Sequence, residues 1–102
     1  MEKIIPLKAK FIMDENEDAV VLDVRNLDEY VMDGHISGAM LIPLPDLRER
    51  AATELPDKDV PILVYCKSGG RSVKAAAILD ELGYTQVKDF GGIKDWPFEI
   101  ER

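Results

Sequence analysis

The chain is short of cysteine and histidine, with one of each in 102 residues. A single Cys excludes an intrachain disulfide and any zinc site built on several cysteines. The lone His35 has no Cys or His close by in sequence, so no metal site is expected. Positive charge is also scarce: 13 Lys and Arg stand against 20 Asp and Glu, for a formal net charge of −7. That balance argues against nucleic acid and anionic membrane surfaces as partners, because both need basic patches. An anionic substrate would have to be held by local groups, not drawn in by the overall field. No apolar run approaches the length of a membrane span. Met1 to Met13 lacks the apolar core and small-residue cleavage site of a secretory signal. The chain therefore reads as cytoplasmic. Internal repeats and low-complexity linkers are absent as well.

What is present suits one globular domain spanning residues 1–102. Apolar residues make up 46% and charged residues 32%. A chain of this size can bury a core without disulfides or a structural metal. Val20-Val21-Leu22 and Ile62-Leu63-Val64-Tyr65 are continuous apolar runs, as expected for strands covered on both faces. Ile4-Ile5 reads as a short edge strand, Ala39 to Ile42 is a third short apolar run, and Gln86 to Phe90 reads as the last strand, ended by Gly91-Gly92. Lys8 to Met13 reads as a helix stopped by the acidic stretch Asp14 to Asp18, which reads as a solvated turn. Asn26 with Glu29 forms a capping-box pattern ahead of a helix over Leu27 to Met32, with Gly34 as its terminator. Asp46 with Glu49 repeats that pattern ahead of Leu47 to Thr53. Ala75, Ile78, Leu79 and Leu82 make one apolar face of a helix over Val73 to Leu82, with Gly83 behind it. Strands alternate with helices, so the fold class is α/β: a mostly parallel sheet of about five strands with helices on both faces. Sites in such sheets lie at the carboxyl ends of strands, where Asp23, Arg25 and Cys66 fall.

The candidate chemistry sits in Tyr65-Cys66-Lys67-Ser68-Gly69-Gly70-Arg71-Ser72. A strand ends in the only Cys and turns through glycines into a helix. An unperturbed thiol has a pKa of about 8.5 and is mostly protonated at neutral pH. A helix N-terminus contributes about 0.3–1 kcal/mol, up to about 2 in favourable geometry. At about 1.36 kcal/mol per pKa unit, the dipole alone is a weak lever. Gly69 and Gly70 let the backbone curl so that successive N–H groups form a nest for an anion. Lys67 and Arg71 add positive charge, and Arg71 has the fork to hold an oxyanion. The bland alternative is a buried, inert Cys at a strand end. The loop is not a Walker A motif, and it has no second Cys for thioredoxin-like chemistry.

These residues resemble the active-site loop of the single-domain rhodanese (thiosulfate sulfurtransferase-like) family. The resemblance covers nearly the whole chain. Asp23-Val24-Arg25 with Glu29-Tyr30 is similar to the family's first signature. Gly34-His35-Ile36-Ser37-Gly38-Ala39, followed by Ile42-Pro43, resembles its Gly-His-Ile-Pro-Gly-Ala segment. Gly91-Gly92-Ile93 with Trp96 resembles the C-terminal signature. Lys67 stands where Arg is usual, Ser37 where Pro is common, and Leu41 where Asn is common; Gly70 adds a glycine to the loop. The resemblance implies sulfane-sulfur transfer through a persulfide on Cys66. Lys67, Ser68, Gly69, Gly70, Arg71 and Ser72 would cradle the substrate, and Asp23 and Arg25 would support the loop or form a structural ion pair. It implies a small anionic donor such as thiosulfate, a thiol or cyanide acceptor, a sulfur-relay protein as a further possible partner, and no cofactor or metal. His35 and Tyr30 read as structural, and Trp96 as core or lid.

Three other functions compete. Phosphatase or arsenate reductase activity is one: related cell-cycle phosphatases carry Cys-x-x-x-x-x-Arg, whereas Cys66 to Arg71 here is Cys-x-x-x-x-Arg. The shorter ring suits sulfur and crowds phosphate. A non-catalytic module that binds a protein partner often lacks the Cys, which this chain keeps. A persulfide carrier, loaded by a desulfurase, would use the same loop.

Overall fold

The apolar run at Ile62 becomes strand β5 (Ile62–Cys66), whose five residues are all buried. In the computed structural model, which describes residues 1–102, β5 is the middle strand of a five-stranded sheet. The sheet also contains β1 (Glu2–Lys3), β2 (Val20–Asp23), β4 (Met40–Leu41) and β6 (Val87–Gly92), in the order β1-β6-β5-β2-β4. Every pairing in it is parallel. A separate antiparallel pair joins β3 (His35–Ile36) to β7 (Ile100–Glu101).

Side chains alternate across a strand, and β5 divides the core accordingly. Ile62, Val64 and Cys66 belong to a cluster with Leu47 and Ala51 of α3 (Leu47–Glu54) and with Ala75, Ala76 and Leu79 of α4 (Gly70–Glu81). Leu63 and Tyr65 point the other way, into a cluster with Ala9 of α1 (Pro6–Glu15), Phe90 and Trp96. Helices thus cover both faces, as expected. The short α2 (Leu27–Met32) buries none of its residues.

Four local expectations shift. The edge strand lies at Glu2–Lys3, not at Ile4-Ile5, because Pro6 opens α1 and ends the extended run; the Ile4 N–H still bonds Asp89 O at 2.9 Å. Helix α1 also takes in Asp14 and Glu15, which leaves a shorter acidic turn. Asp46 makes no side-chain cap bond: it closes a 3-10 turn over Leu44–Asp46 and has helical rather than extended backbone angles. The last strand runs through Gly91 and Gly92 instead of stopping at Phe90. No helix is long and apolar enough to cross a membrane.

Candidate active site

Helix α4 starts at Gly70, three residues before the apolar periodicity suggests, directly behind the cysteine. Gly69 is its N-cap, with φ +106, in the left-handed region that favours glycine. This turn aims the Gly69 N–H at Cys66 Sγ, 3.0 Å away. Gly70 has ordinary helical geometry and open space where a Cβ would sit. Only the first glycine of the doublet is therefore required by the backbone. Ser72 is fully buried, and its hydroxyl donates to Gly69 O at 3.1 Å, tying the first turn to the cap.

Burial raises the Cys66 thiol, but the surrounding donors pull it further the other way. The Ser72, Gly69 and Ser68 N–H groups together hold it below its ordinary value. The loop acts mainly through backbone dipoles, and these outrank the nearby side-chain charges. Cys66 lines a cleft of about 370 Å³ together with Lys67, Ser68, Gly70, Arg71 and Lys74. A larger groove of about 1190 Å³ lies elsewhere, between the end of α1, Ile36 to Gly38 and Trp96 to Glu99. It contains none of the loop residues.

Arg71 departs from expectation. Its fork is filled from within the chain: Nη1 donates to Glu29 Oε1 at 2.7 Å and Nη2 to Glu29 Oε2 at 2.9 Å. Glu29 Oε1 also accepts the Asn26 N–H at 3.0 Å, completing that half of the expected cap on α2. One carboxylate thus caps α2 and clamps the first turn of α4. The Arg71 hydrogen bonds outweigh burial and lower the Glu29 pKa to about 2. Since this lies below the unfolded value of about 4.3, the stabilisation is complete above that pH and is lost as pH falls through 2. Carboxyl NMR titration should place Glu29 near 2 and return it towards the ordinary range in Arg71→Ala. An unshifted Glu29 in the wild-type protein would contradict the clamp.

Asp23 and Arg25 make no hydrogen bond to residues 66–72; the Arg25 guanidinium lies over the Tyr65 ring, 5.6 Å from its centroid. Asp23 is in register with Tyr65, one residue out of phase with Cys66, so its side chain leaves the opposite face of the sheet. The pair is buried, with Arg25 Nη2 on Asp23 Oδ2 at 2.7 Å and on Gly34 O at 2.7 Å. It secures the segment entering β3, which is the structural ion-pair alternative. His35 stacks on Tyr30, with ring centroids 3.8 Å apart, and does not line the cleft. Trp96 is a core residue packed on Phe90 at 5.3 Å. No group of three or more His, Cys, Asp or Glu is placed to hold a metal.

Sequence reasoning missed the role of Gly92. From Val64 to Cys66 the chain advances two residues while its partner advances three, from Asp89 to Gly92. This bulge re-aims the end of β6, and buried Asp89 supports it by accepting the Gly91 N–H at 2.9 Å. Gly92 thereby comes to lie against the backbone of Lys67 and Ser68, where a Cβ would overlap the Lys67 carbonyl. The sequence marks Gly92 only through the doublet and its resemblance to the C-terminal signature, and the doublet reads equally well as a strand terminator.

Residues 7–98 match the rhodanese-like domain. The chain belongs to the rhodanese-like family. It is 46% identical over 74 residues to the thiosulfate sulfurtransferase PspE of Escherichia coli K12, covering 72% of this chain and 70% of that protein. It is 37% identical over 90 residues to YrkF of Bacillus subtilis, whose name describes a sulfur carrier, covering 87% of this chain and 47% of that protein. Among solved structures, a rhodanese with anions from E. coli superimposes with a TM-score of 0.75 at 40% identity, covering 82% of this chain and 98% of that one.

Proposed function

We propose that this rhodanese-type sulfurtransferase, with residues 1–102 as a single domain, moves sulfane sulfur from a small anionic donor through a persulfide on Cys66. The observation that carries the reading is the sulfur itself: its residue lines a cleft at the head of α4, with the Gly69 N–H at 3.0 Å and the thiol pKa lowered by loop donors. A thiolate held this way is a nucleophile poised for covalent catalysis. With thiosulfate, the Cys66 thiolate attacks the outer sulfur. A new S–S bond forms, the old one breaks, and its electron pair leaves on sulfite. The enzyme is left as the persulfide anion, in reach of the same N–H groups. Cyanide, or a thiolate, then attacks the outer sulfur of the persulfide. It departs as thiocyanate, or as a new persulfide, and the Cys66 thiolate is regenerated. No proton or redox partner is needed in either step.

The similarity to PspE supports a thiosulfate donor, and the similarity to YrkF supports a variant in which the acceptor is another protein. Both share the first half-reaction. Phosphate-ester hydrolysis is disfavoured because the loop arginine already forks onto Glu29 and the ring is one residue short. Incubation with thiosulfate should add the mass of one sulfur atom to the intact protein, release one equivalent of sulfite, and reverse on addition of cyanide. A protein whose mass is unchanged under these conditions would overturn the proposal.

A further inference from the structure

The cleft above Cys66 needs a positive group for an anionic donor, and the obvious one is engaged elsewhere. Both Arg71 nitrogens that form the fork are satisfied by Glu29. Two other cations line the cleft, Lys67 and Lys74. The ion pairs made by Lys and Arg side chains go to Lys10, Arg25, Arg48, Arg50, Arg71 and Lys88, so neither cleft lysine is neutralised. In a chain of net charge −7, they form a local reversal of sign around the one cysteine.

The position of Lys74 follows from helix geometry. Lys74 lies four residues after Gly70, on the same face of α4, one turn further in. Side chains on a helix lean towards its N-terminus, which here is the end that holds Cys66. The space along that path is open, because Gly70 has no side chain and nothing lies within 4 Å of where its Cβ would be. The extra glycine of the loop is thus not needed for backbone curvature; it clears the way for the lysine one turn on.

We propose that Lys74, with Lys67, receives the anionic end of the sulfur donor, in place of the clamped Arg71. The proposal rests on the sulfur-transfer reading for the identity of the donor, but the anion site can be tested without it. The probe is alkylation of Cys66 by anionic iodoacetate and by uncharged iodoacetamide. Both form an S–C bond and expel iodide, and they differ in charge at the far end. Lys74→Gln should lower the iodoacetate-to-iodoacetamide rate ratio roughly fivefold, the scale of a partly exposed ion pair to a small anion. The iodoacetamide rate should stay unchanged, since a merely structural loss would move both rates. Lys74→Arg should restore the ratio. With thiosulfate, Lys74→Gln should raise KM by a similar factor at constant kcat. An unchanged ratio and KM in Lys74→Gln would overturn the assignment, as would a fall in the two alkylation rates together. If the ratio falls but the wild-type protein takes no sulfur from thiosulfate, the lysine site stands and the sulfur-transfer reading falls.

Discussion

Cys66→Ser is expected to reduce thiosulfate:cyanide turnover by on the order of 10⁴-fold or more, the scale of loss when a covalent nucleophile is removed. Intact-mass analysis should show no sulfur on the variant. The substitution isolates chemistry from folding unusually well. Cys66 is 1% exposed and in contact with the core, so a larger change there would leave a cavity or a clash. Serine is close in size, and its hydroxyl oxygen can accept the Gly69 N–H that Sγ accepts at 3.0 Å. The buried hydroxyl is therefore not left unsatisfied, and the stability cost stays small. The alcohol differs in being far harder to ionise, so the donors that hold the thiol pKa down cannot produce an alkoxide at neutral pH. Turnover by Cys66→Ser comparable to wild type would sink the nucleophile assignment.

Gly92→Ala is the second large effect, and it reaches the sulfur from a different strand. An added Cβ would overlap the Lys67 carbonyl and come within 2.6 Å of the Lys67 carbonyl carbon and 2.7 Å of Ser68 Cα. These are backbone atoms, so no side-chain rotation relieves the contact. Either β6 or the cysteine loop must move. The Lys94 N–H bonds the same Lys67 carbonyl at 3.3 Å, so a shift of the loop also breaks its tie to the segment after β6. Overpacking of this kind costs about 1–3 kcal/mol of stability. The larger consequence is for the nest: a displacement of about 1 Å at the reacting centre costs on the order of 10²-fold in rate. Steady-state kinetics and thermal unfolding should show activity falling much more than stability, with the Cys66 pKa raised in an alkylation–pH profile. Wild-type activity and an unchanged Cys66 pKa in Gly92→Ala would show that the loop does not depend on this contact.

Much of the site was legible because it is contiguous. A strand ending in Cys, a glycine cap and an amphipathic helix follow one another in the chain, and each has a local signature. The alternating order of strands and helices was likewise enough to identify a parallel α/β sheet. Apolar periodicity starts the helix only at Val73, because the first turn is made of Gly70, Arg71 and Ser72, which carry none. Their N–H groups have no partner inside the helix, and that of Ser72 acts on the sulfur instead. The capping box at Asn26 is legible for the same local reason, whereas the same pattern at Asp46 does not cap its helix because a 3-10 turn precedes it.

Contacts between distant segments were not legible. Arg71 and Glu29 are 42 residues apart, and nothing near either one indicates the other. Asp23 and Cys66 both stand at strand ends, but only the register of β2 on β5 shows that they leave opposite faces of the sheet. The sequence by itself determined the nucleophile candidate, the nest that lowers its pKa and the class of fold, because each of these depends on neighbouring residues and on backbone periodicity. The tertiary structure alone decided which cations beside the cysteine remain without an ion-pair partner and what holds the loop in place. Those depend on which side chains and backbones are brought together across the sheet: a carboxylate on α2 occupying the loop arginine, and a bulge on β6 that leaves room for glycine alone beneath Lys67.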